Sequence, residues 1–288
     1  MSQIMTARLA LAKHGFHFTH SLGQNFLLDE RYISRIVDEA EISEGDCVLE
    51  IGAGAGVLTA ELLSRGAKVL ALELDKTLRP VLDEVLAPFE GVCVEFSDAM
   101  KADIADLAAR EFGEGMPFKV VANLPYYITT DMILRLMLAK LPIESMFVLV
   151  QKEAAERITS QPNTKTWCAL AATVQYFGAP SLALDVPPEA FTPRPHIDSC
   201  LLKIDLYREK NRYPAQSEEA LVKLIQCAFA MRRKTLANNL TATYKMPREA
   251  AISILNDCGI AKNMRGEALT IKQIVVLADR LHNIQDLK

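Results

Sequence analysis

The chain predicts an α/β fold, a doubly wound sheet followed by a small all-helical domain, and three features carry that prediction. Short apolar runs alternate with helix-patterned segments up to about residue 207, as they do in strand-helix-strand sheets. The first strong run, Cys47 to Ile51, leads into Gly52-Ala53-Gly54-Ala55-Gly56, a turn whose backbone a ligand can approach closely. Beyond residue 208 the strand signal vanishes and the charge changes sign: residues 1–207 hold 18 Lys and Arg against 28 Asp and Glu, whereas residues 208–288 hold 14 against 8. Two domains, 1–207 and 208–288, are therefore expected. The net charge of −4 hides an acidic body joined to a basic module suited to phosphate.

Half of the 288 residues are hydrophobic, enough for a sizeable core and too many for disorder. No run of about 18 uncharged apolar residues occurs, and the opening MSQIMTARLALAKHGF spreads its charges with no small-residue cleavage site. A cytoplasmic protein that meets no membrane is expected. The six cysteines form no Cys-x-x-Cys pair and read as small buried hydrophobes in a reducing compartment. His14, His17 and His20 are three apart, but they read as part of a flexible or packed N-terminal arm, so no metal is expected.

Taken in order, Gln24-Asn25-Phe26-Leu27 reads by itself as the cap and staple of a helix from Glu30 to Ala40, whose Ile33, Ile36 and Val37 share one face. After the strand Cys47–Ile51 and the glycine turn comes a helix from Leu58. The next strand, Ala67 to Leu72, ends in Glu73, where a carboxylate can accept from both hydroxyls of a ribose. The glycine turn and that acid together imply a nucleoside-containing cofactor. A dinucleotide fingerprint needs Gly-x-Gly-x-x-Gly, yet the third glycine comes one residue early and Val57 fills its slot. The strand Val92 to Phe96 ends in Ser97-Asp98. Asp98 reads either as a helix N-cap or, as the third strand end in series, as an acceptor for an adenine amino group.

The fourth strand ends in Asn123-Leu124-Pro125-Tyr126-Tyr127. Pro125 has no N–H and pushes Leu124 towards an extended conformation, so the carbonyls around Asn123 and Leu124 face outward without a local donor. Tyr126 adds a flat face beside them. The ligand implied is an exocyclic amino group on a flat ring, and the plainer reading is a turn with a buried tyrosine. A helix from Thr130 to Ala139 and strands Ser145–Val150, Ser181–Val186 and Ser199–Leu206 follow. The proline-rich segment between the last two is a linker on composition alone. Helices are expected at Glu218–Met231, Lys234–Thr243, Pro247–Cys258 and Thr270–Ile284.

Glu50-x-Gly-x-Gly-x-Gly resembles the first motif of S-adenosylmethionine-dependent methyltransferases, and Asn123-Leu124-Pro125-Tyr126 after it looks like an adenine N6-methyltransferase. Phe191-x-Pro-x-Pro-x-x-Asp-Ser and Phe229-Ala-Met-Arg-Arg-Lys-Thr-Leu-Ala-Asn-Asn-Leu resemble the KsgA/RsmA family, the small-subunit rRNA dimethyladenosine transferases, and the likeness runs from Gly23 to the last helix. The resemblance implies a Rossmann-like methyltransferase sheet and S-adenosyl-L-methionine held by Asn25, Leu27, Gly52, Glu73, Asp98 and Asn123. It implies Asn123, Leu124, Pro125, Tyr126 and Phe191 as the catalytic set, with Tyr126 and Phe191 clamping the target base, and Arg232, Arg233 and Lys234 as an RNA phosphate cluster. The implied substrate is a pair of adjacent adenosines in the 3′-terminal hairpin of 16S rRNA, each dimethylated at N6 within an immature small ribosomal subunit by a monomeric enzyme. Three rivals stay open. A 23S rRNA adenine methyltransferase shares the N-terminal motifs, an assembly or transcription factor could keep the fold without the chemistry, and a nicotinamide oxidoreductase would use the glycines and Glu73 alone.

Overall fold

The computed structural model describes residues 2–19, 23–207 and 213–285. His20, the third of the spaced histidines, and residue 208, at the expected domain boundary, lie outside them. The chain divides into two compact units, Met1–Ala155 with Ala179–Leu206 and Glu156–Gly178 with Tyr207–Lys288. The second unit thus takes in a stretch well before residue 208, because Trp167, Ala171, Ala172 and Tyr176 are part of its core.

In the first unit the helices are α1 (Gln3–Lys13), α2 (Glu30–Glu39), α3 (Val57–Ser64), α4 (Arg79–Leu86), α5 (Ile104–Phe112) and α6 (Tyr126–Leu138). Its strands are β1 (Phe26–Leu27), β2 (Cys47–Ile51), β3 (Lys68–Glu73), β4 (Val92–Phe96), β5 (Phe118–Asn123), β6 (Ile143–Gln151), β7 (Gly178–Val186), β8 (Phe191–Thr192) and β9 (Ser199–Leu206). Seven of them form one sheet in the order β4-β3-β2-β5-β6-β9-β7, and β1 pairs with β8 apart from it. The β4-β3, β3-β2, β2-β5 and β5-β6 pairs are parallel, and β9 runs antiparallel to β6. Helices cover both faces of such a sheet, so its strands read as unbroken apolar runs, and Val48, Leu49, Leu70 and Val120 are fully buried. The chain builds outward from β2 through β3 to β4, then returns to add β5 on the other side of β2. The order reverses between β2 and β5, and ligands of open α/β sheets bind outside the strand ends at such a reversal.

Several local features complete or depart from the sequence reading. The N-terminal arm is a helix, α1, capped by Ser2 and docked through Ala7 and Ala10, which are fully buried. The helix cap near Gln24 is instead Asp29, whose carboxylate accepts from Arg31 N, and Phe26 and Leu27 form β1, facing Thr192 and Phe191 across the pair. The proline-rich segment is no linker: Pro188, Ala190 and Phe191 are buried, and β8 fixes it to β1. Of the cysteines only Cys200 and Cys227 are fully buried, and all six are free thiols.

After β6 come α7 (Lys152–Ile158) and α8 (Ala169–Phe177). The second unit adds α9 (Glu218–Ala230), α10 (Leu236–Tyr244), α11 (Arg248–Asp257) and α12 (Ile271–Gln285), each within two residues of the expected bounds. Its core gathers Trp167, Leu221, Leu224, Leu240, Leu255 and Leu277. Gly266 lies against the Ala228 carbonyl so closely that a Cβ there would fall 2.0 Å from the oxygen. Among the described residues no helix is long and apolar enough to cross a membrane, and no group of His, Cys, Asp and Glu could hold a metal.

Candidate active site

A cleft opens at the carboxyl ends of β2, β3, β4 and β5, at the reversal of strand order. The ends of these strands and the turns after them supply Gly52, Glu73, Asp98 and Asn123, and the β1 arm supplies Asn25 and Leu27. Six residues from five separate stretches of the chain therefore line one space. Gly52 has φ +85°, and a Cβ on it would meet the Asn123 oxygen at 3.0 Å. Only glycine lets β2 and β5 end so close together without strain.

Glu73 is 7% exposed. Its Oε2 accepts from Gly54 N at 2.8 Å and its Oε1 from Asp75 N at 2.8 Å. Burial raises its carboxyl above the usual range, against the pull of those backbone donors. Each oxygen keeps a lone pair for a further donor, the requirement for gripping a diol. The arm steadies this corner, because Gln24 Nε2 donates to Asp75 Oδ2 at 2.7 Å. Asp98 lines the cleft while its Oδ1 accepts from Met100 N at 2.9 Å and its Oδ2 meets Lys101 at 3.3 Å. It caps its own turn, and the helix N-cap nearby is Asp103.

At the end of β5, Asn123 and Leu124 both line the cleft. Asn123 Nδ2 donates to the Asn25 carbonyl at 3.1 Å. A carbonyl can only accept, so the amide must turn its nitrogen there and leave Oδ1 as a free acceptor. Pro125 begins α6 as its N-cap, and its carbonyl accepts from Ile128 N and Thr129 Oγ1. The Leu124 carbonyl one residue earlier has no donor among the described residues. The Leu124 side chain is 4% exposed, which anchors that carbonyl in place. Tyr126, half-buried in the cleft wall, has its hydroxyl 2.7 Å from Ser199 Oγ, and burial raises its phenol above the ordinary value.

Phe191 is not among the cleft-lining residues. Its ring is 4% exposed within the core and faces Leu27 across the β1–β8 pair. Of the two rings expected to clamp a base, Tyr126 lines the cleft and Phe191 backs the arm that forms part of its wall.

Glu50, quoted from the sequence only as part of a motif, is fully buried beneath the glycine turn and lines the cleft; the nearby Thr59 hydroxyl eases its charge but makes no full hydrogen bond to either oxygen. Burial pushes its carboxyl up to about 8, and the nearby Glu73 charge adds to the effect. Near neutral pH that carboxyl is mostly protonated, so it lines the cleft as a neutral group beside Glu73 and Asp98. Leu74, which sequence reasoning passed over, lines the cleft 49% exposed next to Glu73 and offers a flat ring an apolar contact.

The family profile described as ribosomal RNA adenine dimethylase matches residues 15–283. The chain belongs to the ribosomal RNA adenine dimethylases. It is 41% identical over 270 residues to ribosomal RNA small subunit methyltransferase A of Alkaliphilus oremlandii, with 93% of each chain covered. It is 40% identical over 272 residues to the protein of that name from Bacillus mycoides, again with 93% of each covered. Among solved structures, a dimethyladenosine transferase from Plasmodium falciparum matches 90% of this chain and 96% of its own at a TM-score of 0.74 and 21% identity. The 23S rRNA methyltransferase ErmE matches 89% and 99% at a TM-score of 0.66 and 25% identity.

In this dimethylase the three basic residues expected to meet RNA lie in the second unit, between α9 and α10, and all are exposed. Arg232 Nη2 donates to the Lys165 carbonyl at 2.7 Å and lies 3.8 Å from Glu267, so part of its charge is already engaged. The Arg233 and Lys234 side chains are unpaired among the described residues.

Proposed function

We propose that this dimethylase transfers methyl groups from S-adenosyl-L-methionine to the N6 atoms of two adjacent adenosines in the 3′-terminal hairpin of 16S rRNA, acting as a monomer in the cytoplasm on an immature small ribosomal subunit. The observation that carries this reading is the acceptor pair, Asn123 Oδ1 and the Leu124 carbonyl, at the mouth of a cleft whose floor suits a nucleoside. When bound, S-adenosyl-L-methionine supplies an electrophilic methyl carbon. Glu73 takes its ribose hydroxyls, Asp98 its adenine amine, and Gly52, Asn25 and Leu27 close around it.

An adenine N6 amine is a poor nucleophile because its lone pair is spread into the ring. Asn123 Oδ1 and the Leu124 carbonyl each accept one N6 proton, which favours a pyramidal nitrogen with its lone pair aimed into the cleft. Pro125 contributes by being unable to donate to either acceptor. Tyr126 stacks on the splayed-out base, worth about 1–3 kcal/mol, and its bond to Ser199 fixes the ring. Ser199 closes the motif that begins at Phe191, and that motif supports both the stacking ring and the β1 arm. No strong base is needed, since the methylated nitrogen readily passes its proton to water. Arg232, Arg233 and Lys234 meet phosphate.

The 23S likeness of ErmE gives the second reading. Primer extension on both rRNAs of a deletion strain separates the two: a stop lost from the 3′ end of 16S supports the proposal, and a stop lost from 23S overturns it. Titration calorimetry with S-adenosylhomocysteine tests the cofactor assignment, and absence of binding would revive a purely structural role.

A further inference from the structure

The loop after β4 that presents Asp98 is held from behind by Arg135 of α6. Its Nη2 donates to the Ala102 carbonyl at 2.6 Å and its Nη1 to the Ala99 carbonyl. Within the loop, the Asp98 carbonyl accepts from Lys101 N and Ala102 N, both at 2.8 Å, and its carboxylate accepts from Met100 N. The turn is thereby wound tight, with the Ala99 and Ala102 carbonyls left over. One guanidinium collects both. No carboxylate pairs with Arg135 among the described residues, so a partly buried charge is spent on two neutral main-chain oxygens. Such bonds are directional and charge-assisted.

The helix that carries Arg135 is the helix that begins at Tyr126, directly after the acceptor pair. Residues 126 and 135 are separated by about 13 Å along a rigid helix. One element therefore bears the stacking ring at its start and, further along, the clamp on the loop of Asp98. We propose that Arg135 is a positioning residue that sets the adenine-binding loop in register with the acceptor pair, so that the nucleoside end of the cofactor and the target amine keep one fixed separation. This rests on the assignment of Asp98 to the cofactor adenine. A misplacement of the order of 1 Å at a reacting centre can cost about 10²-fold in rate, and two loops held by one helix avoid it.

The test is a double-mutant cycle read by calorimetry of S-adenosylhomocysteine, with Arg135→Met, Asp98→Ala and the double variant in the full chain. The expected result is at least a tenfold weaker affinity in Arg135→Met, with RNA affinity within twofold of wild type, and no further loss when Arg135→Met is added to Asp98→Ala. Arg135→Lys, which can still donate to one carbonyl, should recover part of the affinity and keeps the test usable if Arg135→Met folds poorly. Independent, additive losses, or Arg135 variants that bind normally and only melt earlier, would overturn the proposal and leave Arg135 as a fold staple. Wild-type protein that fails to bind S-adenosylhomocysteine would instead count against the cofactor reading itself, and loss in Arg135→Met with normal binding in Asp98→Ala would break the link to Asp98.

Discussion

The side-chain nitrogen of Asn123 lies 3.1 Å from the main-chain oxygen of Asn25, and this one hydrogen bond decides which end of the cleft-lining amide stays without a partner. The Asn25 carbonyl can only accept, so the amide turns its nitrogen there and keeps Oδ1 as an acceptor with no partner among the described residues. The same bond also explains why the β1 arm, a two-residue strand, belongs to the site.

Asn123→Ala removes one of the two acceptors and is expected to lower kcat by about 10²–10³-fold, in line with the loss of a single preorganised hydrogen bond to a reacting group. Affinity for RNA should stay close to that of wild type, measured by filter binding, because the lost acceptor is proposed to act on the amine and not on the RNA phosphates. Turnover comparable to wild type would remove Asn123 from the chemistry.

Tyr126→Phe and Tyr126→Ala separate the ring from its hydroxyl. The first loses only the 2.7 Å bond to Ser199 and should cost a few-fold in kcat/KM for RNA. The second loses the stack of about 1–3 kcal/mol, which corresponds to about 5- to 150-fold. Equal losses in the two variants would mean that the hydroxyl, and not the flat face, matters.

Glu50 makes stability depend on pH in a definite direction. Its carboxyl moves from an ordinary value of 4.5 to about 8 in the folded chain, so between those values the unfolded chain has lost a proton that the folded chain keeps. The stability it contributes is complete below about pH 4.5 and is lost as pH rises to about 8, at up to about 1.4 kcal/mol per pH unit. Glu50→Gln removes this slope, including the part of it that comes from the Glu73 charge. Urea unfolding at pH 5, 6.5 and 8 should therefore show the variant gaining on wild type as pH rises. A gap that does not change with pH would contradict the burial of an unpaired carboxyl there.

Changing Arg232, Arg233 and Lys234 to alanine should weaken RNA binding and reduce the slope of log K against log salt by about 0.7–0.9 for each phosphate that is no longer neutralised. Arg233→Ala with Lys234→Ala should account for most of the change, since Arg232 is already tied to Lys165 and Glu267. An unchanged slope would return the cluster to plain surface.

The sheet and most of the cleft were legible in the sequence because each depends on local pattern. β2 and β4 have the bounds read from their apolar runs, and Gly52, Glu73, Asp98 and Asn123 announce themselves as special residues at strand ends. Features that depend on partners far along the chain were not legible. The pairing of Leu27 with Phe191 joins two-residue strands that carry no periodicity, so the arm read by itself as a helix staple, and the resemblance cast Phe191 as a ring clamping the base. The orientation of Asn123 is set by Asn25, 98 positions away. Arg135 looks like any basic residue on a helix until the Ala99 and Ala102 carbonyls are seen behind it. Trp167, alone in a polar stretch, gives no sign that it is fully buried in the second unit's core.

The most direct test of the central claim is mass-spectrometric mapping of 16S rRNA after immature small subunits are incubated with S-adenosyl-L-methionine and either wild-type protein or Asn123→Ala. The wild-type reaction is predicted to yield N6,N6-dimethyladenosine at two adjacent positions in the 3′-terminal hairpin, with neither modified by the variant in the same time. Methyl groups at any other atom, or the same two products from Asn123→Ala, would contradict the account.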